Sequence, residues 1–218
     1  CFFLDERRNN KGIRLTDNYF NLSNDDSFND LNKETEARWR LVETAWELNI
    51  GRHLIQVSFD DNTGYFQMNN SQRRRNITSS RDALNGYQKG KCFYCFRTIS
   101  IDQPDELADV DHFFPHILNR CANGKPIDGV ANLVLACQEC NRGKNGKFDR
   151  LPTIDFLERL YVRNEYLIKS HHPLRETLIA QTGFDSKARI AFLQEVYNCS
   201  RETIVATWQP EQCGNPIF

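Results

Sequence analysis

Eight cysteines are present, and four of them form two Cys-x-x-Cys pairs, Cys92/Cys95 and Cys137/Cys140. The other four, Cys1, Cys121, Cys199 and Cys213, are scattered. Two residues between cysteines let both thiolates of a pair reach one tetrahedral Zn2+ at about 2.3 Å. Four thiolates leave no open coordination position, so the expected zinc is structural. A closed site of this kind supplies about 10 to 16 kcal/mol of apparent binding energy to folding. Redox chemistry or disulfide formation is the competing use of such pairs. Two pairs framing one segment, in a chain with no secretory signal core, argue for metal instead.

The segment between the pairs, positions 96 to 136, is longer than a simple zinc ribbon needs, and the insertion carries reactive side chains. Asp109-Val-Asp-His-Phe-Phe-Pro115 comes first, then Ala131-Asn-Leu-Val-Leu-Ala136, and Cys140-Asn-Arg-Gly-Lys144 closes the second pair. His112 has a side chain able to accept a proton near neutral pH, which makes it a candidate general base. Asp111 is a hard oxygen ligand suited to Mg2+ or Mn2+. Adjacent strand residues point to opposite faces, so Asp111 and His112 share one site only if the chain bends there; Pro115 is compatible with such a bend. Asp109 shares a strand face with Asp111, as an extra ligand or a structural hydrogen-bond partner.

Asp111-His112, Asn132 and Cys140-Asn141-x-x-Lys144 inside two Cys-x-x-Cys pairs resemble the HNH endonuclease family, with its ββα-metal active site. The resemblance covers about residues 91 to 148. It implies metal-dependent hydrolysis of phosphodiester bonds in nucleic acid, with DNA as the family's usual substrate, leaving a 5′-phosphate and a 3′-hydroxyl. In that reading His112 is the general base, and Asp111 with Asn141 holds the catalytic Mg2+ or Mn2+. Asn141 stands where the family often has a second histidine, and its neutral amide suggests modest metal affinity. Asn132 would hold His112 in orientation from the opposite strand, Lys144, Arg142 and Lys147 would meet the phosphate, and His116 would either assist there or be simply solvated. The resemblance also suggests a restriction or anti-phage setting. The competing function is a catalytically silent, zinc-containing nucleic-acid-binding subunit of a larger complex.

These residues need a scaffold, and the pattern predicts an α+β fold. A zinc-bracketed ββα core at 79–150 is expected between an N-terminal flank of helix and short strands, 1–78, and a helical C-terminal region, 151–218. Ala37, Leu41, Ala45 and Leu48, broadened by Trp39, Val42 and Trp46, mark a helix over 33–48 that Gly51 should stop. His53 to Phe59 reads as a strand, 61–64 as a turn into another strand, and Ser79 or Ser80 as the cap of a helix reaching Lys89. Val110–Phe114 and Leu133–Ala136 are short and apolar enough to form a hairpin, and Cys140 to Lys144 should open a helix. Beyond Arg150, helices are expected at 153–168, 174–182, 186–197 and 202–208, with His172-Pro173 as a break. Trp39, Trp46, Phe156, Tyr161 and Trp208 are expected in the core.

The formal net charge is −1 and hydrophobic residues make up 39% of the chain, as in ordinary globular proteins. Nucleic-acid binders often carry a basic excess, but here the charge is segregated. Arg73, Arg74, Arg75, Arg81, Lys89, Lys91 and Arg97 face a single acid, Asp82, and a second basic cluster holds Arg142, Lys144, Lys147 and Arg150. Acids gather at Asp25, Asp26, Asp30, Glu34, Glu36, Glu43 and Glu47, and the acidic helix suits contact with a protein partner or a second copy. No apolar run is long enough to cross a membrane. Asp5, Glu6, Arg7 and Arg8 follow Cys1-Phe2-Phe3-Leu4 too closely for a signal-peptide core, so a cytoplasmic protein is expected. The chain does not begin with Met, and residues upstream of Cys1 are expected.

Overall fold

The computed structural model describes residues 1–24, 30–47, 56–70, 73–120 and 129–218. The chain opens with a small hairpin, β1 (Phe3–Asp5) and β2 (Ile13–Leu15), joined through the short helix α1 (Arg7–Asn10) and followed by α2 (Asp17–Ser23). Its apolar residues Phe2, Phe3, Leu4, Ile13, Leu15, Tyr19 and Phe20 are all at least 40% exposed, and none joins the core.

Helix α3 (Leu31–Glu47) follows. Ala37 and Leu41 are buried as the stripe predicts, but Trp39 and Trp46 lie on the solvent side, edge-to-face with ring centroids 5.3 Å apart. Spacing of four and seven residues puts Ala37, Leu41 and Thr44 on one face and leaves the tryptophans outside that stripe. Leu48, Gly51 and His53, with the expected helix stop and strand start, lie outside the described residues.

Three antiparallel strands come next, β3 (Val57–Asp60), β4 (Tyr65–Asn70) and β5 (Arg73–Ser79). The β3–β4 turn is Asp61–Gly64, where Gly64 takes φ +71° and donates its N–H to the Asp60 carbonyl at 2.8 Å. A left-handed conformation there is what glycine tolerates without a Cβ penalty. Arg73 to Arg75, read in the sequence only as a charge run, are the first residues of β5.

Helix α4 (Ser80–Gln88) ends at Lys89 in a left-handed cap, φ 48°. Ser79 occupies the N-cap position without making a side-chain cap hydrogen bond; the Ser80 hydroxyl instead donates to the Gly64 carbonyl at 2.7 Å. At the centre, β6 (Asp109–His112) and β7 (Leu133–Ala136) pair antiparallel in the register Asp109↔Ala136 to His112↔Leu133. The helix α5 (Gln138–Arg142) follows one residue after β7. The first strand stops at His112 rather than Phe114, because Phe113 and Phe114 turn away into the core.

All four residues of β7 are fully buried. Its outer edge is closed by a side chain: the Gln88 amide donates to the Leu135 carbonyl at 2.8 Å and accepts from the Leu135 N–H at 2.8 Å. The Phe93 N–H donates to the same carbonyl at 2.9 Å, so Gln88 and the Phe93 backbone together satisfy the polar groups of this buried edge.

The C-terminal region holds β8 (Leu151–Pro152), α6 (Ile154–Lys169), α7 (Arg175–Thr182), α8 (Ser186–Thr203) and β9 (Thr207–Trp208). The expected last helix at 202–208 does not form. Glu202 and Thr203 end α8, and Thr207-Trp208 pairs parallel with Leu151-Pro152. Trp208 is buried as expected, its indole N–H donating to the Asn145 carbonyl at 2.7 Å. One cluster of buried apolar side chains runs from Ala37 to Trp208, so the flanks share a core with the cysteine-framed centre. Among the described residues no helix is long and apolar enough to cross a membrane.

Candidate metal centre and active site

The first cysteine pair lies in a tight turn between α4 and β6, and the second brackets the start of α5. Each is locally constrained. The Cys92 N–H donates to the Arg97 carbonyl at 2.9 Å, and the Asn141 N–H donates to the Cys137 carbonyl at 3.0 Å. Arg159 of α6 donates to the Phe93 carbonyl at 2.6 Å and lies over the Phe96 ring at 4.4 Å. The Cys213 and Gly214 N–H groups close the other side on the Cys95 carbonyl, at 3.1 and 2.9 Å.

All four Sγ atoms of Cys92, Cys95, Cys137 and Cys140 lie within 4.8 Å of one another, and all four residues are buried. The Cys95–Cys137 separation is 3.7 Å, and none of these cysteines is in a disulfide. A regular tetrahedron with bonds of about 2.3 Å spaces its thiolates about 3.8 Å apart, so the donor set fits a zinc ion. Hydrogen bonding within the cluster holds the Cys137 and Cys92 thiols below their usual range and pushes Cys95 and Cys140 above it, so the protons are shared unequally among the four sulfurs. Thiolate character in a buried thiol cluster is the state a metal requires. Of the scattered cysteines, Cys1 and Cys213 are exposed, Cys199 is half-buried and Cys121 lies outside the described residues.

No bend separates the faces of Asp111 and His112, because β6 keeps regular pairing through both. On one face Asp111 is buried. Its Oδ2 accepts from the Tyr94 hydroxyl at 2.6 Å and its Oδ1 meets the Lys147 ammonium at 3.1 Å. Burial raises the Asp111 carboxyl pKa, against the opposing pull of Lys147. Lys147, expected at a phosphate, is 1% exposed and also donates to the His112 and Phe148 carbonyls at 3.0 and 3.1 Å. Its charge is spent inside the protein, where a substrate cannot reach it. On the same face the Asn141 amide N–H donates to Asp109 at 3.0 Å, as does Arg142 at 2.8 Å. Asp109 thus plays the structural role.

The Mg2+ or Mn2+ expected on Asp111 and Asn141 does not fit this arrangement. Each carboxylate oxygen of Asp111 already has a donor, one of them a full positive charge, and the Asn141 amide is turned to Asp109. A divalent ion there would have to displace Lys147 from a buried site.

The other face of β6 carries His112, which is 6% exposed. Its Nδ1 lies 3.9 Å from Asp61 in the β3–β4 turn, and the His116 Nε2 lies 3.9 Å from the other oxygen of Asp61. The two imidazole centroids are 3.9 Å apart, and the Phe59 ring sits 5.9 Å from His112. The His112 Nε2 is buried without a hydrogen-bond partner among the described residues. Burial, and then the neighbouring His116 and Lys147, lower the His112 pKa to about 3, so the ring is neutral at physiological pH. His116 and Asp61 are exposed.

Asn132 stands in a 3-10 turn (Val130–Asn132) just before β7. Its amide clamps the Phe114 backbone, accepting from the N–H at 2.7 Å and donating to the carbonyl at 2.8 Å. It therefore orients the chain between His112 and His116 through the backbone. Buried Arg163 of α6 supports that turn by donating to the Leu133 carbonyl at 2.5 Å and the Ala131 carbonyl at 3.3 Å. Burial lowers its pKa to about 9, still protonated at neutral pH. Lys144 and Arg142 are exposed near the end of α5. Sequence reasoning missed Asp61, Tyr94, Gln88 and Arg163. Only Asp61, in a turn already predicted, had a local signal. Compared with protein-family models, with curated proteins and with solved structures, the chain matches none at a significant level.

Proposed function

We propose that this chain is a zinc-stabilised, HNH-type endonuclease that hydrolyses phosphodiester bonds at His112, with DNA as substrate. The observation that carries the reading is the placement of His112: a neutral imidazole ends a hairpin whose second strand leads directly into a four-thiol cluster. Zinc on Cys92, Cys95, Cys137 and Cys140 would pin both ends of the hairpin. His112 would then accept a proton from the attacking water through the nitrogen that faces Asp61 and His116. An anionic phosphate beside the ring favours the imidazolium, raising its low proton affinity at the moment of reaction. Lys144, exposed near the end of α5, supplies positive charge for that phosphate, whereas Arg142 is paired with Asp109 on the opposite face of β6; Asn132 fixes the loop behind His112. Asp111 and Asn141 do not offer a divalent ion a site, and no step is assigned to one.

The second reading, a catalytically silent zinc module that binds nucleic acid within a larger complex, draws support from the same burial of Asp111 by Lys147 and Tyr94. Incubating the purified chain with supercoiled plasmid in Mg2+, in Mn2+ and in EDTA separates the two. Nicking or linearisation supports the nuclease, whereas plasmid retardation with no cleavage in any metal supports the binding module. A restriction or anti-phage role belongs to the same proposal. The acidic residues of α3 offer a surface for an activating partner, and capture of one would extend it.

A further inference from the structure

We propose that Asp61, His112 and His116 form a second metal site, for a divalent transition-metal ion such as Zn2+ or Co2+, on the opposite face of β6 from Asp111. Each residue offers one ligand atom, and all three atoms lie within 4.8 Å of one another. Both carboxylate oxygens of Asp61 take part in the geometry, one 3.9 Å from the His112 Nδ1 and the other 3.9 Å from the His116 Nε2. Zinc binds imidazole nitrogen and carboxylate oxygen at about 2.0 to 2.2 Å, which spaces tetrahedral ligand atoms about 3.4 Å apart, so the trio must contract by roughly 0.5 to 1.4 Å to share one ion, a shift that the exposed Asp61 and His116 side chains can make. Two imidazoles and one carboxylate select borderline ions over Mg2+ or Ca2+, which prefer all-oxygen shells. Three protein ligands with an outward opening, since Asp61 and His116 are exposed, leave a position for water or a phosphate oxygen.

The two halves of the site come from separate elements. Asp61 sits in the turn that Gly64 closes, and His116 begins a 3-10 turn directly after Pro115. The Asn132 clamp on Phe114 holds the second half in place. Resting on the nuclease reading, one consequence follows. Nδ1 is the His112 nitrogen that faces this site, while Nε2 is buried, so an ion and a proton exclude each other on it. A bound transition-metal ion therefore suppresses cleavage that depends on His112 as base.

The test is a titration of the zinc-loaded full chain with Co2+, read by visible absorption, alongside Asp61→Asn and His116→Ala. The expected result is one further ion per chain, with ligand-field bands and no thiolate charge-transfer band, and affinity at least about 10-fold weaker in both variants. Unchanged melting and zinc content in the variants shows that only this site was altered. No saturable second ion, a thiolate band, or wild-type affinity in either variant overturns the proposal. Cleavage in Mg2+, measured in the same samples with added Zn2+, separates the two claims. Co2+ binding without cleavage in any metal leaves the site standing and removes the nuclease reading. Zinc inhibition that persists unchanged in Asp61→Asn contradicts the competition.

Discussion

Cys92, Cys95, Cys137 and Cys140 are at most 7% exposed, whereas in the cluster of Asp61, His112 and His116 only His112 is buried. Both groups hang on the same hairpin, β6 and β7, and their difference is one of closure. The thiol cluster is sealed by Arg159, by the Cys213-Gly214 backbone and by the Phe218 ring, 4.9 Å from Phe96. Four thiolates on one zinc would leave no ligand position open, so such a centre would stabilise without reacting. The Asp61 group is held from behind by Asn132 and left open in front. Between the two lies Asp111, which sequence logic gives to the open group and packing gives to the closed interior. One residue along a strand reverses the face, so Asp111 is packed inward while His112 faces Asp61 and His116.

The largest effect should come from breaking the closed cluster. Cys137→Ser removes one thiolate, and the binding energy of a structural zinc, about 10 to 16 kcal/mol, matches or exceeds the whole stability of a typical domain, about 5 to 15 kcal/mol. The variant should lose its zinc and its cooperative melt together; a normal melting profile with zinc lost would refute the structural role.

Next comes the carboxylate between the groups. Lys147→Met strands the buried Asp111 charge and should cost about 3 to 5 kcal/mol in chemical denaturation. A cost near zero would mean that Asp111 faces solvent or an ion, returning it to the open site.

Acid should loosen the interior before it reaches the surface. His172 is 1% exposed, and its Nδ1 accepts the Leu174 N–H at 3.1 Å, a bond that only an unprotonated nitrogen can accept. Burial, reinforced by Arg38 and Arg163, lowers its pKa to about 3, below the ordinary 6.5. The unfolded chain therefore binds a proton below about pH 6.5 that the native chain refuses until about pH 3. The contribution of this residue is fully present above pH 6.5 and is lost as pH falls through that window, about 1.4 kcal/mol per unit. Stability should drop by about 2 kcal/mol from this group between pH 7 and pH 5, and His172→Asn, which keeps an acceptor for Leu174, should flatten that slope. An equal slope in the variant would locate the acid sensitivity elsewhere.

The smallest effect belongs to the open group. Asp61→Asn alters an exposed turn and should change stability by less than about 0.5 kcal/mol in the same denaturation assay. A larger loss would make Asp61 a structural residue and weaken its assignment to a site.

What the sequence made legible was local. Cys-x-x-Cys spacing dictates that two thiolates converge, and the apolar run Leu133 to Ala136 is a buried strand residue for residue. The stripe of Ala37 and Leu41 likewise found its face. What it hid was long-range. Tyr94 and Lys147 sit far apart in the chain, and only packing brings them to opposite oxygens of Asp111. Asp61 reaches His112 across a sheet whose third strand, β5, is written in three arginines rather than in apolar alternation. Thr207-Trp208 is a strand only because Leu151-Pro152 lies beside it. The charge of Lys147 looked like a substrate contact because sequence carries charge but not depth.

The most direct test of the separation between the two clusters is single-turnover plasmid cleavage by His112→Ala, with zinc content measured on the same sample. Removal of a general base should lower the rate by about 10² to 10⁴-fold while zinc stays at the wild-type level. Cleavage at the wild-type rate would remove His112 from the chemistry, and loss of zinc along with activity would mean that the two clusters are not separate.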